Sequence, residues 1–303
     1  VTSIIRKIIP KRKRKRGDAI TKPIPERLFR EKQTAPLQSV EETRTDTPQL
    51  IAGWAQSVGQ QREHNEDALF TLTTTLVSDT RYIPFGLYIV ADGMGGHQHG
   101  ELASALAIRV MAAHLIKRIY LPLFSLTAQG PEASLQEIMQ EGVLEAHKAI
   151  LKQALGGGTT LTAALIVGEQ VTIAHIGDCR AYAIYPDGKM EVLTRDHSLV
   201  KRLEELGQIT SEEAAIHPQR NVLYRALGQG EPFDPDIITA PMPHNGYLLL
   251  CSDGLWGAVQ QEELYRLITG SPVPHIACQK LIEAANKAGG PDNISAILAR
   301  LPT

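Results

Sequence analysis

Acidic residues stand at the ends of apolar runs at several separated points of this chain, and these are the places where its side chains could do chemistry. Asp92-Gly93 follows the run Gly86 to Ala91, and Asp178 follows a run that ends at Gly177. Asp253-Gly254 follows Tyr247 to Ser252, Asp292 precedes a run that begins at Ile294, and Glu66-Asp67 stands just ahead of another apolar stretch. Carboxylates gathered at strand ends repel one another unless a cation neutralises them. Hard divalent ions such as Mg²⁺ or Mn²⁺ take oxygen ligands in an octahedron. A glycine beside an acid lets the backbone come close and offer its carbonyl. Two such ions can activate a bridging water and clamp a phosphate for in-line displacement. The residue types therefore point to a binuclear phosphoesterase. One Asp-Gly at a strand end is more often a plain turn, so the reading rests on the conjunction. Zinc fits poorly, because neither Cys nor His is clustered and the three cysteines, Cys179, Cys251 and Cys278, form no CxxC.

These acids need strands to hold them. Apolar and small residues predict strands at 51–58, 86–91, 161–167, 171–176, 181–185, 190–193, 247–251 and 294–298. Pro186-Asp187-Gly188 reads as the turn of a hairpin. Helices follow from stripes at i, i+3, i+4 and i+7: Leu135, Ile138, Met139, Val143 and Ile150; Leu102, Leu106 and Val110; Ala277, Leu281 and Ala285. Leu199, Leu203 and Leu206 mark a short helix stopped by Gly207, and Thr210 with Glu213 reads as the capping box of another. Strand and helix runs are segregated, which favours an α+β fold with helices outside antiparallel sheets.

The chain has 303 residues and a net charge of −2. That balance hides a split, because residues 1–50 carry a net +7 and the remainder −9. Lys11 to Arg16 are six consecutive cations, and five prolines interrupt the same segment. The expectation is a disordered basic N-terminal tail over 1–50, a candidate for weak contact with anionic surfaces, followed by one domain over 51–303. No apolar run is long enough for a membrane span. Together with the scattered cysteines and the lack of a signal-peptide core, this predicts a cytoplasmic thiol protein.

Between Ile51 and Leu301 the chain carries ordered blocks that resemble the bacterial branch of the metal-dependent PPM (type 2C) serine/threonine protein phosphatases. They are Gly59-Gln60-Gln61-Arg62-Glu63-His64-Asn65-Glu66-Asp67; Val90-Ala91-Asp92-Gly93-Met94-Gly95-Gly96-His97; Gly158-Thr159-Thr160; and His175-Ile176-Gly177-Asp178-Cys179-Arg180. Leu193-Thr194-Arg195-Asp196-His197-Ser198, Ala226-Leu227-Gly228, Cys251-Ser252-Asp253-Gly254-Leu255-Trp256 and Gly290-Pro291-Asp292-Asn293-Ile294 complete the series.

The resemblance implies a β-sandwich of two antiparallel sheets flanked by antiparallel helices, with a small helical flap at about 198–221 beside the active site. It implies two Mn²⁺ or Mg²⁺ ions bridged by Asp92. Asp253 and Asp292 would complete the shell of one ion, and the Gly93 carbonyl would bind the other. Asp67, with Glu66 as a further candidate, would act through metal-bound water. Asp178 with Asp253 would form a third, weaker metal site. Arg62 would grip the phosphate, its planar fork matching a dianion. The implied reaction is direct attack of a metal-bridging hydroxide on phosphoserine or phosphothreonine in a phosphorylated protein, a Ser/Thr kinase being one such partner. No Cys or Ser with a partner base is recognisable for a covalent route. The alternative is a catalytically inactive module of the same fold that binds phosphoproteins.

Two positions depart from the pattern. Met94 stands where some members have a histidine that resembles the leaving-group acid, with His97 and His99 close by in sequence. For both histidines local structural hydrogen bonding is the plainer role. Cys179 stands where serine is common. Neighbouring acids should raise its pKa, which disfavours a redox role.

Overall fold

The computed structural model describes residues 49–78, 81–95, 98–124, 133–230 and 233–302. The basic head up to Pro48, for which a disordered tail is expected, lies outside the described residues, as does His97.

Two five-stranded antiparallel sheets stack face to face. The first contains β1 (Ile51–Ser57), β8 (Arg180–Ile184), β9 (Met190–Val192), β11 (Tyr247–Cys251) and β12 (Ile294–Arg300), in the order β1-β12-β11-β8-β9. The second contains β2 (Ala68–Ser78), β3 (Arg81–Ala91), β6 (Leu161–Val167), β7 (Gln170–Ile176) and β10 (Asp236–Pro241), in the order β10-β7-β6-β3-β2. Helices α1 (Gln98–Leu115) and α2 (Leu135–Gln153) cover the second sheet, while α6 (Gln261–Thr269) and α7 (Pro274–Lys287) cover the first.

Alternation along β3 builds two of the three apolar layers. Leu87 and Ile89 pack outward against Met111, Ile138 and Val143 of the helices. Tyr88 and Val90 point inward against Ala181, Leu250 and Ile297 of the facing sheet. A strand buried on both faces has no polar side, which is why β6, β12 and the end of β3 read as continuous apolar runs.

Strand pairing then gathers the acids. Ala68 is opposite Ala91, which sets Asp67 beside Asp92 at one sheet end. Leu161 is opposite Ile176, so Thr160 and Asp178 leave their strands at that end too. In the facing sheet Cys251 is opposite both Ala296 and Arg180, which brings Asp253 and Asp292 to the same edge. A two-residue ladder of β4 (Gly93–Met94) with β5 (Gly158–Thr159) carries the chain past Asp92.

The expected strands and helices are present within a few residues. Several elements were not anticipated from the sequence, the short strands at 93–94 and 158–159 among them. β2 is rich in threonine and lies at a sheet edge, β10 is half-exposed, and α5 (Asp253–Trp256) and α6 are short. Threonine content, exposure or shortness blurs the period in β2, β10 and α5, whereas α6 carries a clear stripe, Leu264 with Ile268, that was missed. Among the described residues no helix is long and apolar enough to cross a membrane.

Candidate active site

A cavity of about 290 Å³ opens at the acid-bearing edge of the sandwich. Arg62, Glu66, Asp92, Gly93, Asp178, Asp253 and Asp292 all line it, together with Met94 and Thr160. The remaining candidate, Asp67, lies buried beneath this floor. A second cavity of about 720 Å³ shares Arg62, Asp178, Asp253 and Asp292 and runs out under the flap.

Local hydrogen bonds fix each acid. Asp92 leaves β3 with its N–H donating to Thr160 Oγ1 (2.9 Å), while its carbonyl accepts from Thr160 N (2.9 Å) and Thr159 Oγ1 (2.8 Å). Asp253 opens α5 at a helix N-terminus. Asp292 accepts from Asn293 N through Oδ1 (2.8 Å) and from Arg62 Nη2 through Oδ2 (2.8 Å). Asn293 also donates to the carbonyls of Val58 and His64, and its Oδ1 accepts from Glu66 N. This one amide staples the Arg62–Glu66 loop to the Asp292 turn. Asp67 accepts hydroxyl donors from Ser252 (2.8 Å) and Ser295 (2.7 Å) on Oδ2.

The glycines of this edge are required by close approach. A Cβ on Gly93 would stand 2.3 Å from Gly100 O and 2.6 Å from Glu66 O, and one on Gly254 would stand 2.1 Å from Asn293 O. No side chain fits without moving backbone, so the acid-bearing turns pack directly on one another.

The electrostatics are unfavourable for bare carboxylates. Burial first, then repulsion from Asp67, Asp253, Asp178 and Asp292, holds the Asp92 carboxyl well above the usual aspartate range. Burial and then Asp253 and Asp196 do the same at Asp178. Burial, outweighing the two serine hydroxyls, pushes Asp67 up to about 7, and burial with Asp292 pushes Asp253 up to about 6. Oδ1 of Asp67 and Oδ1 of Asp253 are buried and accept no hydrogen bond. Two orphaned carboxylate oxygens at an acid-rich pocket fit a hard divalent cation. Among the described residues no three His, Cys, Asp or Glu side chains form a self-sufficient metal cage.

Of the two histidines considered near Met94, His99 is exposed on α1. His64, which stands in the Gly59–Asp67 block and was not among the candidate site residues, lines the cavity. Ser252, Ser295 and Thr160 were also missed as site residues, because a lone hydroxyl carries no spacing signal. Cys179 is buried with its Sγ 3.1 Å from Thr160 Oγ1. Burial, then Asp92 and Asp178, pushes its thiol well up, in line with the inert role expected.

A helix-covered double sheet with an acid-lined edge and an arginine at its mouth defines a metal-dependent phosphatase architecture. The profile of the Protein phosphatase 2C family matches residues 53–294. The serine/threonine phosphatase Stp of Listeria innocua is 37% identical over 244 residues, covering 79% of this chain and 91% of that protein. Protein phosphatase PhpP of Streptococcus pneumoniae is 34% identical over 250 residues, covering 80% and 94%. Among solved structures, the Mycobacterium tuberculosis serine/threonine phosphatase PstP/Ppp superposes with a TM-score of 0.69 at 33% identity, over 84% of this chain and 99% of that one. The catalytic domain of PstP in complex with two manganese ions gives a TM-score of 0.68 at 31% identity, over 85% and 100%. The chain belongs to the protein phosphatase 2C family, in its bacterial PPM branch of serine/threonine phosphatases.

Proposed function

We propose that this protein hydrolyses phosphoserine and phosphothreonine in phosphorylated proteins by direct displacement by water, without a phosphoenzyme. The observation that carries the reading is the convergence of Asp92, Asp178, Asp253 and Asp292 with Arg62 on one cavity, above a buried Asp67. Asp92, Asp253 and Asp292, with the Gly93 carbonyl, are the groups that would hold two Mn²⁺ or Mg²⁺ ions. Asp67 and Glu66 would act through their waters, and Asp178 would contribute to a third, weaker site. Bound there, divalent ions supply Lewis acidity and make a water nucleophilic at neutral pH. Arg62 sits half-exposed at the mouth on Asp292, where its guanidinium can exchange that partner for phosphate oxygens. Its fork would orient the phosphoryl group for in-line attack. The thiols play no part, since all three cysteines are buried.

The experiment is hydrolysis of a phosphothreonine peptide with Mn²⁺ or Mg²⁺ against an EDTA control, for wild type and Asp253→Asn. Wild type should turn over only with metal, and the variant should lose on the order of 10² or more of kcat, the scale of one removed electrostatic stabiliser. A variant as active as wild type sinks the site assignment. A wild type that binds Mn²⁺ and the phosphopeptide yet turns nothing over overturns the enzymatic reading in favour of the phosphoprotein-binding module.

A further inference from the structure

The flap contains α3 (Leu199–Glu205) and α4 (Ser211–Ala215), and its two stems meet in one short antiparallel step. Leu199 N donates to Val222 O (2.8 Å), Tyr224 N donates to His197 O (2.9 Å), and Ser198 bridges to Leu223. His197, at the foot of the outgoing stem, is 1% exposed and engages every polar group it has. Its N–H donates to Gly177 O at 2.7 Å, and its carbonyl takes the Tyr224 bond. Its Nδ1 accepts from Gly177 N at 3.1 Å, so the proton resides on Nε2, which donates to Asp236 Oδ2 at 3.2 Å.

The partner on the body side matters for the site. Gly177 immediately precedes Asp178, has φ +109°, and would place a Cβ 2.5 Å from the Thr160 side chain. The turn therefore has one backbone shape and no room to adjust. Trp256 Nε1 pins its far side by donating to Asp178 O at 3.0 Å. His197 grips the near side with two bonds while holding the returning flap stem with a third. Asp236, its third partner and the holder of its fourth bond, is at the start of β10 and also receives Arg225 Nη1 at 3.5 Å.

We infer that His197 is a positioning residue that locks the flap stem and the Asp178 turn into one register, so that the flap wall of the larger cavity and the acidic floor move as a unit. None of its contacts is to a reacting group. It acts through Gly177 on the one side and Tyr224 on the other. Only the activity assay below rests on the phosphatase reading; the exchange measurement does not.

Two near-isosteric variants separate the nitrogens. His197→Asn places an amide oxygen where Nδ1 lies, keeping an acceptor for Gly177 and losing Asp236. His197→Gln reaches Asp236 with an amide donor and leaves Gly177 N without its acceptor. The expected result is a phosphopeptide KM within about threefold of wild type for Asn and raised about tenfold for Gln, the worth of one buried hydrogen bond. The kcat values should change less than KM, and thermal midpoints should fall by similar amounts in both variants. Equal KM in the two variants overturns the inference, whichever way both move. Hydrogen exchange on the unmodified protein provides a second reading that needs no variant. Under graded denaturant the amides of Gly177 and Tyr224 should open with one common free energy. Separate opening energies for the two amides overturn the inference, whether or not the variants fold or the enzyme turns over.

Discussion

Asp67 offers a quantitative test of how the site trades stability for ion binding. Its carboxylate lies under the cavity floor with Oδ2 held by Ser252 and Ser295 and Oδ1 left bare. Burial, with Asp253 and Asp292 nearby, moves it from 3.8 to about 7. In the unfolded chain the group ionises near the ordinary value of about 3.9. Below about pH 4 both states hold the proton and nothing depends on pH. Between about pH 4 and 7 only the native state holds it, so the metal-free protein loses stability as pH rises. Above about pH 7 both states are ionised and the full penalty stands, roughly 4 kcal/mol at about 1.4 kcal/mol per pH unit. Asp67→Asn cannot ionise, yet its amide oxygen still accepts the serine hydroxyls. In EDTA at pH 8 the variant should therefore be more stable than wild type by roughly 2–4 kcal/mol, with the difference vanishing near pH 4. Added Mn²⁺ binds the native state and should raise the wild-type midpoint more than the variant's. Urea denaturation of both proteins across pH 4–8, with EDTA and then with Mn²⁺, reads all of this. A stability difference that stays flat with pH, or Mn²⁺ shifts that are equal, would refute the reasoning.

Arg62→Ala should raise the phosphopeptide KM on the order of tenfold or more while changing kcat less, and Arg62→Lys should recover part of the loss, because a point charge replaces a planar fork; steady-state kinetics decides, and an unchanged KM would remove Arg62 from substrate binding. Thiol titration of the native protein at pH 8 should find Cys179, Cys251 and Cys278 unreactive, since each is buried and burial foremost raises each thiol, that of Cys278 to about 12; all three should react after denaturation, and rapid native labelling at Cys179 would overturn its inert role.

Strands buried on both faces announce themselves as unbroken apolar runs, and for that reason β3, β6 and β12 were legible before any coordinates. β2 was not, because an edge strand with threonines on one side resembles a loop to a reader looking for apolar runs. The acids were legible for a different reason. An aspartate just beyond a strand end has few roles, and several of them in one chain suggest a shared edge. What the sequence could not supply was the pairing. Only the register Ala68 opposite Ala91 and Cys251 opposite Ala296 turns separate acids into one cavity. Asn293 and Ser295 escaped notice as site residues because their work is done through bonds of 2.7–2.9 Å to groups more than 200 positions away in sequence.

Glycine and carboxylate solve opposite halves of the same problem at this edge. Burial and then mutual repulsion raise the carboxyls of Asp67, Asp92, Asp178 and Asp253, and two of their oxygens accept no hydrogen bond, so the arrangement opposes folding. Gly93 and Gly254 permit the backbone contacts that force those acids together in spite of it. Small side chains there would relieve the repulsion by letting the turns separate, which would also dissolve the cavity. Sites that break a rule of stability in this way are expected where function is built. The flap stem extends the same logic: Gly177 fixes the Asp178 turn by its shape, and His197 bonds that turn to the returning stem at Tyr224. Part of the body's excess of negative charge thus stands where cations can discharge it, and the surrounding hydrogen bonds hold those acids in place.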